Sequence, residues 1–287
     1  MTRIAEEHKI PYCIYAFDEQ FSRLDEDFYT RQVRKVFKHF VPNIENIIFE
    51  EGINFKNKKK RTFKLDNLDY DLIEFISNDL IFAKHPEASS SAYIDTYEGN
   101  IFLATATGQI TYSKINNLAK NEFKFTSIKS NIQEIIKYSE FYNSSAFGIK
   151  DILVRNNKIY VSYIKEHYKD CFSTSIIVGE LNFSFIFFKD FYSPKNCIEK
   201  NSEFFNLHSK DKLIAHQSGG RMIIVDNSFI FSTGEYRYRT LAQETDNDFG
   251  KIISINLTDN SKKIINKYKN NNKIIKIFQK NRGLIVS

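Results

Sequence analysis

A chain of 287 residues with 42% apolar side chains is long enough for one large domain or two small ones and can fill a sizeable core. Its formal charge of +6 comes from lysines spread along the chain, without the interleaved aromatics of a base-stacking platform or a recognised module, so nucleic-acid binding is not read from it. No apolar run reaches the roughly 18 residues of a membrane span, and the opening MTRIAEEHKIPYCIYAF lacks the apolar core of a secretory signal.

From Asp25 to Val41, Phe28, Val33, Val36, Phe37 and Phe40 recur near helical spacing with charges between them, which predicts a helix. The stretch that follows, up to about Ala83, mixes short apolar runs with Asn, Asp and Lys and reads as an irregular extension. Residues 1–83 are therefore assigned to an N-terminal extension with one helix, and 84–287 to the main domain. The basic run Lys56, Lys58, Lys59, Lys60 and Arg61 falls in the extension. Such a run attracts phosphates or acidic headgroups, but on a predicted turn it reads as a solvated loop. His39 and His85 have no metal-like neighbours in sequence and are taken as ordinary residues.

After Ser91 short strands alternate with turn residues: AYIDTY, NIFLATATGQITYSKI, DILVRNNKIYVSYI, SIIVGELNFSFIFFKDF, RMIIVDNSFIFST and GKIISINL. This texture is that of an all-β propeller or sandwich. At roughly 40–50 residues per blade, residues 91–287 would supply about four blades. Cys13, Cys171 and Cys197 show neither CxxC spacing nor histidines at zinc-site distances. Cys171 and Cys197 would bridge if their strands met, but the odd count favours free buried thiols.

The chemistry of the chain concentrates in His216-Gln217-Ser218-Gly219-Gly220-Arg221, closed by Thr233-Gly234-Glu235 and Leu241-Ala242-Gln243. MIIVDNSFIFS between them is an apolar run broken by Asp226-Asn227-Ser228 as a hairpin turn breaks it. A histidine and a carboxylate thus stand at the two ends of one predicted hairpin. Histidine is the side chain best suited to take a proton near neutral pH when a partner fixes its tautomer, and Glu235 is the candidate partner. Equally, a lone histidine near apolar strands is usually structural, glycines serve tight turns, and an arginine is often a solvated strand end. A nucleophilic role for Ser218 lacks a strand-to-helix elbow and an orienting acid.

At these residues the chain resembles the quinoprotein sugar dehydrogenases, of the soluble glucose dehydrogenase and aldose sugar dehydrogenase type. Their HxSGGR-like turn, hairpin ending in Gly-Asp, Ala-Gln pair and Gly-Lys strand read here as HQSGGR, TGE, LAQ and Gly250-Lys251-Ile252-Ile253. FGIKDILVRNNKIYVSYI echoes the family's Gly-Leu-Leu and Tyr-Val-Ser-Tyr strands. The resemblance covers residues 145–257. It implies an all-β, six-bladed propeller, incomplete here at about four blades, with the N-terminal α/irregular extension before it. It also implies oxidation of a sugar or similar alcohol by hydride transfer to pyrroloquinoline quinone, with Ca2+ as the metal and a separate electron acceptor as partner. His216 takes the role of general base and Glu235 that of the orienting aspartate, while Arg221, Gln243 and Arg282 are the candidate cofactor contacts. A periplasmic or extracellular location is implied as well.

The chain also departs from the family. Glu235 lengthens the orienting arm by a methylene, and a misplacement of about 1 Å can cost on the order of a hundredfold in rate. Ala146 stands where the family has a hydrogen-bonding glutamine. Of the family's Gly-His-Arg-Asn-Pro-Gln-Gly-Leu segment only Phe278-Gln279-Lys280-Asn281-Arg282-Gly283-Leu284 remains, with Arg282 as a remnant, and the chain then stops in a strand-like run, as a fragment would. The calcium ligands are not assigned, although Asp246 and Asp248 lie nearby. The alternative reading is a non-catalytic propeller that binds but has lost its cofactor contacts.

Overall fold

The computed structural model describes residues 51–65, 68–77, 92–143, 146–207 and 212–265. All of them fall in one contact unit, Ile48–Ser287. The predicted helix at 25–41, His39, His85, Cys13 and Arg282 lie outside the described residues.

The described chain is all-β with a few short helices. β1 (Gly52–Leu65), β2 (Leu68–Ile76), β3 (Ala92–Tyr97), β4 (Asn100–Thr105), β5 (Ile110–Lys114) and β6 (Glu122–Ser130) build a first sheet in the order β2-β1-β6-β5-β4-β3. After two short helices, α1 (Ile132–Ile135) and α2 (Ser139–Asn143), comes the second sheet. It holds β7 (Ile149–Arg155), β8 (Lys158–Tyr168) and β9 (Cys171–Glu180). β10 (Phe185–Ile186) turns back to pair with β6, β11 (Lys189–Tyr192) joins β9, and β12 (Ile198–Glu199) pairs the start of β9. A helix α3 (Glu203–Leu207) leads towards the third sheet, β13 (Gly219–Val225), β14 (Ser228–Thr233), β15 (Ile252–Asn256) and β16 (Lys262–Ile264), in sequential order.

Each sheet contains a four-stranded antiparallel meander: β3 to β6, then β7-β8-β9-β11, then β13 to β16. Their first strands adjoin, since β3 and β13 both lie against β7. β7 is accordingly buried on both faces, Ile149 to Val154, without alternation, the adjacent Lys150 and Asp151 included. Three meanders, rather than about four, are present among the described residues, and they do not close into a ring.

The turns follow their residue chemistry. Asn156 and Asn157 both take positive φ, 53° and 57°, as a two-residue hairpin turn between Arg155 and Lys158 requires. Asp226-Asn227 turns β13 into β14, where the sequence placed it. Between the second and third sheets Leu153, Tyr160, Ile176, Met222, Phe229 and Phe231 form one cluster, all buried.

Two expectations are corrected. The stretch 52–76, read as irregular, forms the long β1–β2 hairpin, and β1 is hydrogen-bonded to β6 from Gly52↔Thr126 to Lys56↔Glu122. Lysines and asparagines are poor strand formers, but Ile53 and Phe55 stand opposite Phe125 and Phe123, and Phe55 stacks on Phe123 at 5.4 Å. Apolar pairing overrides local preference here. Lys60 and Arg61 therefore lie on a strand, not on a turn, and Lys60 meets Asp71 at 2.8 Å. The second correction concerns Cys171 and Cys197, which are not free thiols but a disulfide with Cα atoms 5.4 Å apart. The β9–β12 pairing, Phe172 opposite Ile198, brings the two together, a tertiary contact that spacing does not reveal.

Candidate functional site

His216 sits in a 3-10 turn, Ala215–Ser218, immediately before β13, and is exposed. Glu235 follows β14 and is half-buried. The β13–β14 ladder continues beyond its strands, because Gly234 N–H donates to the Ser218 carbonyl at 2.6 Å and Tyr236 N–H to that of Gln217 at 3.1 Å. Ile214 N–H in turn donates to the Tyr236 carbonyl at 3.1 Å. These bonds hold the backbone of 214–218 against that of 234–236, so the structure places the histidine and the carboxylate on facing segments of one hairpin end. Gly234 is required there: a Cβ would stand 1.8 Å from the Gln217 carbonyl oxygen.

Below this end, Tyr236 is fully buried and its hydroxyl pairs with Thr174 Oγ1 at 2.8 Å, which donates to the Ser218 carbonyl at 2.6 Å. Burial drives the Tyr236 phenol well above its ordinary range, so it acts as a neutral post. Ser218 Oγ is sealed and has no hydrogen-bond partner among the described residues. A hydroxyl so enclosed is not a nucleophile for a solvent-borne substrate.

Arg221 bridges neighbouring strands while much of its side chain stays exposed. Its Nη1 donates to Asp151 Oδ1 at 3.1 Å and its guanidinium lies 5.3 Å from the Tyr93 ring centre. β13, β7 and β3 each contribute one partner, so this arginine ties the first strands of all three sheets. Asp151 is buried, and its other oxygen accepts Met222 N–H at 3.0 Å. Burial pushes its carboxyl up to about 6, against the opposing pull of Arg221 and of the Met222 and Ile152 amides. Asp95 repeats the device one sheet earlier. Its Oδ2 accepts Val154 N–H at 2.7 Å, with Arg155 Nη1 3.5 Å away.

Lys150, next to Asp151, was not singled out from the sequence. It is buried at an irregularity of β7, and its Nζ donates to the Ala146 carbonyl at 2.6 Å. Burial lowers its ammonium to about 7. Gly220, at φ +106°, makes room for it, since a Cβ there would lie 2.5 Å from Lys150 Cβ. The adjacent charges in FGIKDILV, an otherwise apolar strand, were the available signal for both residues.

Gln243 ends the 3-10 turn Arg239–Ala242 and is exposed. That turn is clipped from beneath by Lys251, a buried ammonium that donates to the carbonyls of Leu241 at 2.8 Å, Ala242 at 3.0 Å and Phe249 at 2.7 Å. Asp248 accepts from Tyr192 and Lys262, 2.7 and 2.8 Å, and so serves packing. Among the described residues no group of three or more His, Cys, Asp or Glu is placed to hold a metal ion.

β7 and β13 start at the same end of their sheets, and so do the returns of β8 and β14. The cleft of about 370 Å3 opens at this end, walled by Tyr168, Cys197 and Glu199 on one side and Tyr238, Glu244 and Asp246 on the other. Neither His216 nor Glu235 lines it, although Tyr238 follows Glu235 by three residues. Tyr236 and Arg237, with φ of 55° and 74°, turn the chain between them. No sequence motif pointed to this cleft, because its walls come from distant segments: the disulfide fixes Cys197 within one wall, and the packed rings of Phe204 and Tyr238 tie it to the other.

The profile of the family described as Glucose / Sorbosone dehydrogenase matches residues 98–278. Among solved structures, a glucose dehydrogenase crystal structure is similar at 15% identity and a TM-score of 0.40, over 57% of this chain and 44% of that one. A second glucose dehydrogenase is similar at 14% and 0.41, over 57% and 47%. The soluble aldose sugar dehydrogenase from Escherichia coli, in its apo form, is similar at 14% and 0.37, over 57% and 43%. The chain thus spans less than half the length of each of these structures. No curated protein matches it. The family match extends over more than half of the chain, and the protein that carries the His216–Glu235 hairpin end belongs to the glucose/sorbosone dehydrogenase family.

Proposed function

We propose that this chain works as part of a sugar oxidoreductase in which His216 accepts the proton of the hydroxyl being oxidised and Glu235 orients the imidazole. The observation that carries the reading is the hydrogen-bonded pairing of 214–218 with 234–236, which sets an exposed histidine beside a half-buried carboxylate in a chain of this family. Oxidation of a sugar hydroxyl to a carbonyl removes one proton from oxygen and one hydride from carbon. The imidazole accounts for the proton, and the hydride needs a two-electron acceptor. In this reading the three meanders are consecutive blades of a propeller, and the hairpin end lies at its mouth.

Pyrroloquinoline quinone with Ca2+ is the acceptor implied by the family resemblance, and when bound it would take up the two electrons. The residues assigned to hold it fit it poorly. Arg221 spends Nη1 on Asp151 and packs on Tyr93, Ala146 offers no side-chain donor, and the described residues hold no group of three or more His, Cys, Asp or Glu placed for a metal ion. Gln243, exposed on its turn, is the remaining candidate contact among them. These same observations favour a second reading, a propeller that binds a saccharide without oxidising it.

The Cys171–Cys197 bridge suits an oxidising compartment, in line with a periplasmic or extracellular site of action. Among the described residues no helix is long and apolar enough to cross a membrane.

The test is reconstitution of the purified full-length protein with the quinone and calcium, followed by dye reduction with aldoses. His216→Ala is expected to lower kcat by about 10²–10⁴, the usual contribution of a positioned proton acceptor. Unchanged turnover in that variant removes the base assignment. An equilibrium titration that detects no quinone binding decides for the saccharide-binding reading.

A further inference from the structure

The cleft between Tyr168 and Tyr238 belongs neither to the proton-accepting pair nor to the core, and its walls are built to stay in place. On one side the disulfide fixes Cys197, and Tyr168 donates to Glu199 Oε1 at 2.8 Å. On the other, Tyr238 stacks on Phe204 with ring centres 3.9 Å apart and planes 14° apart. Lys251 holds the carbonyls behind Leu241 and Ala242. Pre-organised walls of this kind lower the ordering cost of binding. The volume, about 370 Å3, falls within the range of small-ligand pockets.

The lining has a definite chemistry. Tyrosine rings supply faces for C–H or ammonium contacts. Glu199, Glu244 and Asp246 supply carboxylates, and among the described residues no lysine or arginine lines the cleft. The ammonium behind it, on Lys251, donates to three backbone carbonyls. An anionic ligand meets these carboxylates as like charges, offset only in part by the Lys251 ammonium that Glu244 and Asp246 also attract, and a neutral hydroxylated one gains hydrogen bonds from them but no charge attraction. A hydroxylated ring bearing an amine gains from both the rings and the carboxylates.

We propose that this cleft is a binding subsite for an amino-sugar unit, placed beside the sugar that is presented to His216. The saccharide part of the assignment rests on the sugar-oxidoreductase reading, whereas the preference for positive charge rests on the lining alone.

The experiment is calorimetric titration of the full chain, without added quinone, using three β-1,4-linked disaccharides: the glucosamine dimer, cellobiose, and a disaccharide ending in a glucuronate. The glucosamine dimer is expected to bind about tenfold tighter than cellobiose at low salt, as exposed charge contacts of a few tenths of a kcal/mol each would give together. The preference shrinks as salt is raised, and the glucuronate disaccharide shows no binding. Glu199→Gln and Glu244→Gln combined with Asp246→Asn, changes that keep size and shape, should erase the preference, and Tyr238→Ala should weaken both amine and neutral ligands. Equal affinity for the dimer and cellobiose, no binding of the dimer, or a preference that survives the three amide changes overturns the proposal. Turnover assays are read separately. An active dehydrogenase lacking the amine preference removes the subsite alone, and the preference without oxidation of any sugar removes the dehydrogenase reading alone.

Discussion

Asp151 and Lys150 are neighbours in sequence with opposite problems, and both set the pH dependence of this fold. Asp151 is buried with its carboxyl raised to about 6 from 3.8, so the folded state holds the proton more tightly than the unfolded chain does. The stability linked to this group is fully present below pH 4 and is lost as pH rises to about 6. Relative to the wild type, Asp151→Asn should therefore gain stability over that window, by up to about 3 kcal/mol, in parallel denaturant titrations; a difference that does not change with pH would refute the assignment. Lys150 is lowered to about 7 from 10.5, so the folded state sheds its proton first and stability rises from pH 7 towards 10. Lys150→Met should stabilise the protein at pH 7, by at most about 5 kcal/mol, and the gain should vanish near pH 10. The sequence showed two charges inside FGIKDILV, but not which partners they would find. The partners of Asp151, Met222 and Arg221, come from a distant strand, whereas that of Lys150, the Ala146 carbonyl, lies just ahead of the strand.

At the scale of single elements, the β13–β14 hairpin was legible from its residues. Its apolar strands, the Asp226-Asn227 turn and the glycines at its open end all follow from local chemistry. What local chemistry does not specify is what the glycines face. Gly220→Ala should cost about 1–3 kcal/mol, because it combines a φ of +106° with a Cβ contact of 2.5 Å to Lys150. Thermal unfolding checks this, and the double variant with Lys150→Gly, which removes the opposing Cβ, should recover only the part owed to the contact. The β9–β12 bridge is the opposite case, invisible in spacing and set by strand pairing. It closes a loop of 26 residues, and Cys197→Ser should lower stability by roughly 3 kcal/mol. Unfolding in the presence and absence of reductant measures the same quantity in the wild type, so agreement between the two is required.

For the whole described assembly, cohesion lies between meanders rather than within them. Phe231 is 1% exposed, in ring contact with Tyr192 at 4.6 Å, and belongs to the cluster shared by the second and third sheets. Phe231→Ala is expected to cost about 3–5 kcal/mol. Amides of β8, β9, β14 and β15 should then lose exchange protection together, whereas loss confined to the third sheet would show that the two sheets fold independently. Asp95 and Asp151 add directional links, each accepting a backbone N–H from the next sheet. Such repeated carboxylate-to-amide links fix the relative height of adjacent first strands, and hence the common end at which the histidine turn and the cleft appear.

The amino-acid sequence by itself determined the β class, the two-residue turns at Asn156-Asn157 and Asp226-Asn227, and the hairpin that brings His216 and Glu235 to one end. All of these depend on side-chain alternation and on residues that accept particular φ values, which are properties of a few neighbours in the chain. Only the tertiary structure decided that the lysine-rich stretch is a strand, that Cys171 and Cys197 join, that Arg221 serves three sheets, and that an acidic, aromatic cleft stands beside the hairpin end. Each of those depends on which distant segment comes to lie alongside. That choice is made by buried area and by the need to pair every buried charge, and no local pattern encodes it.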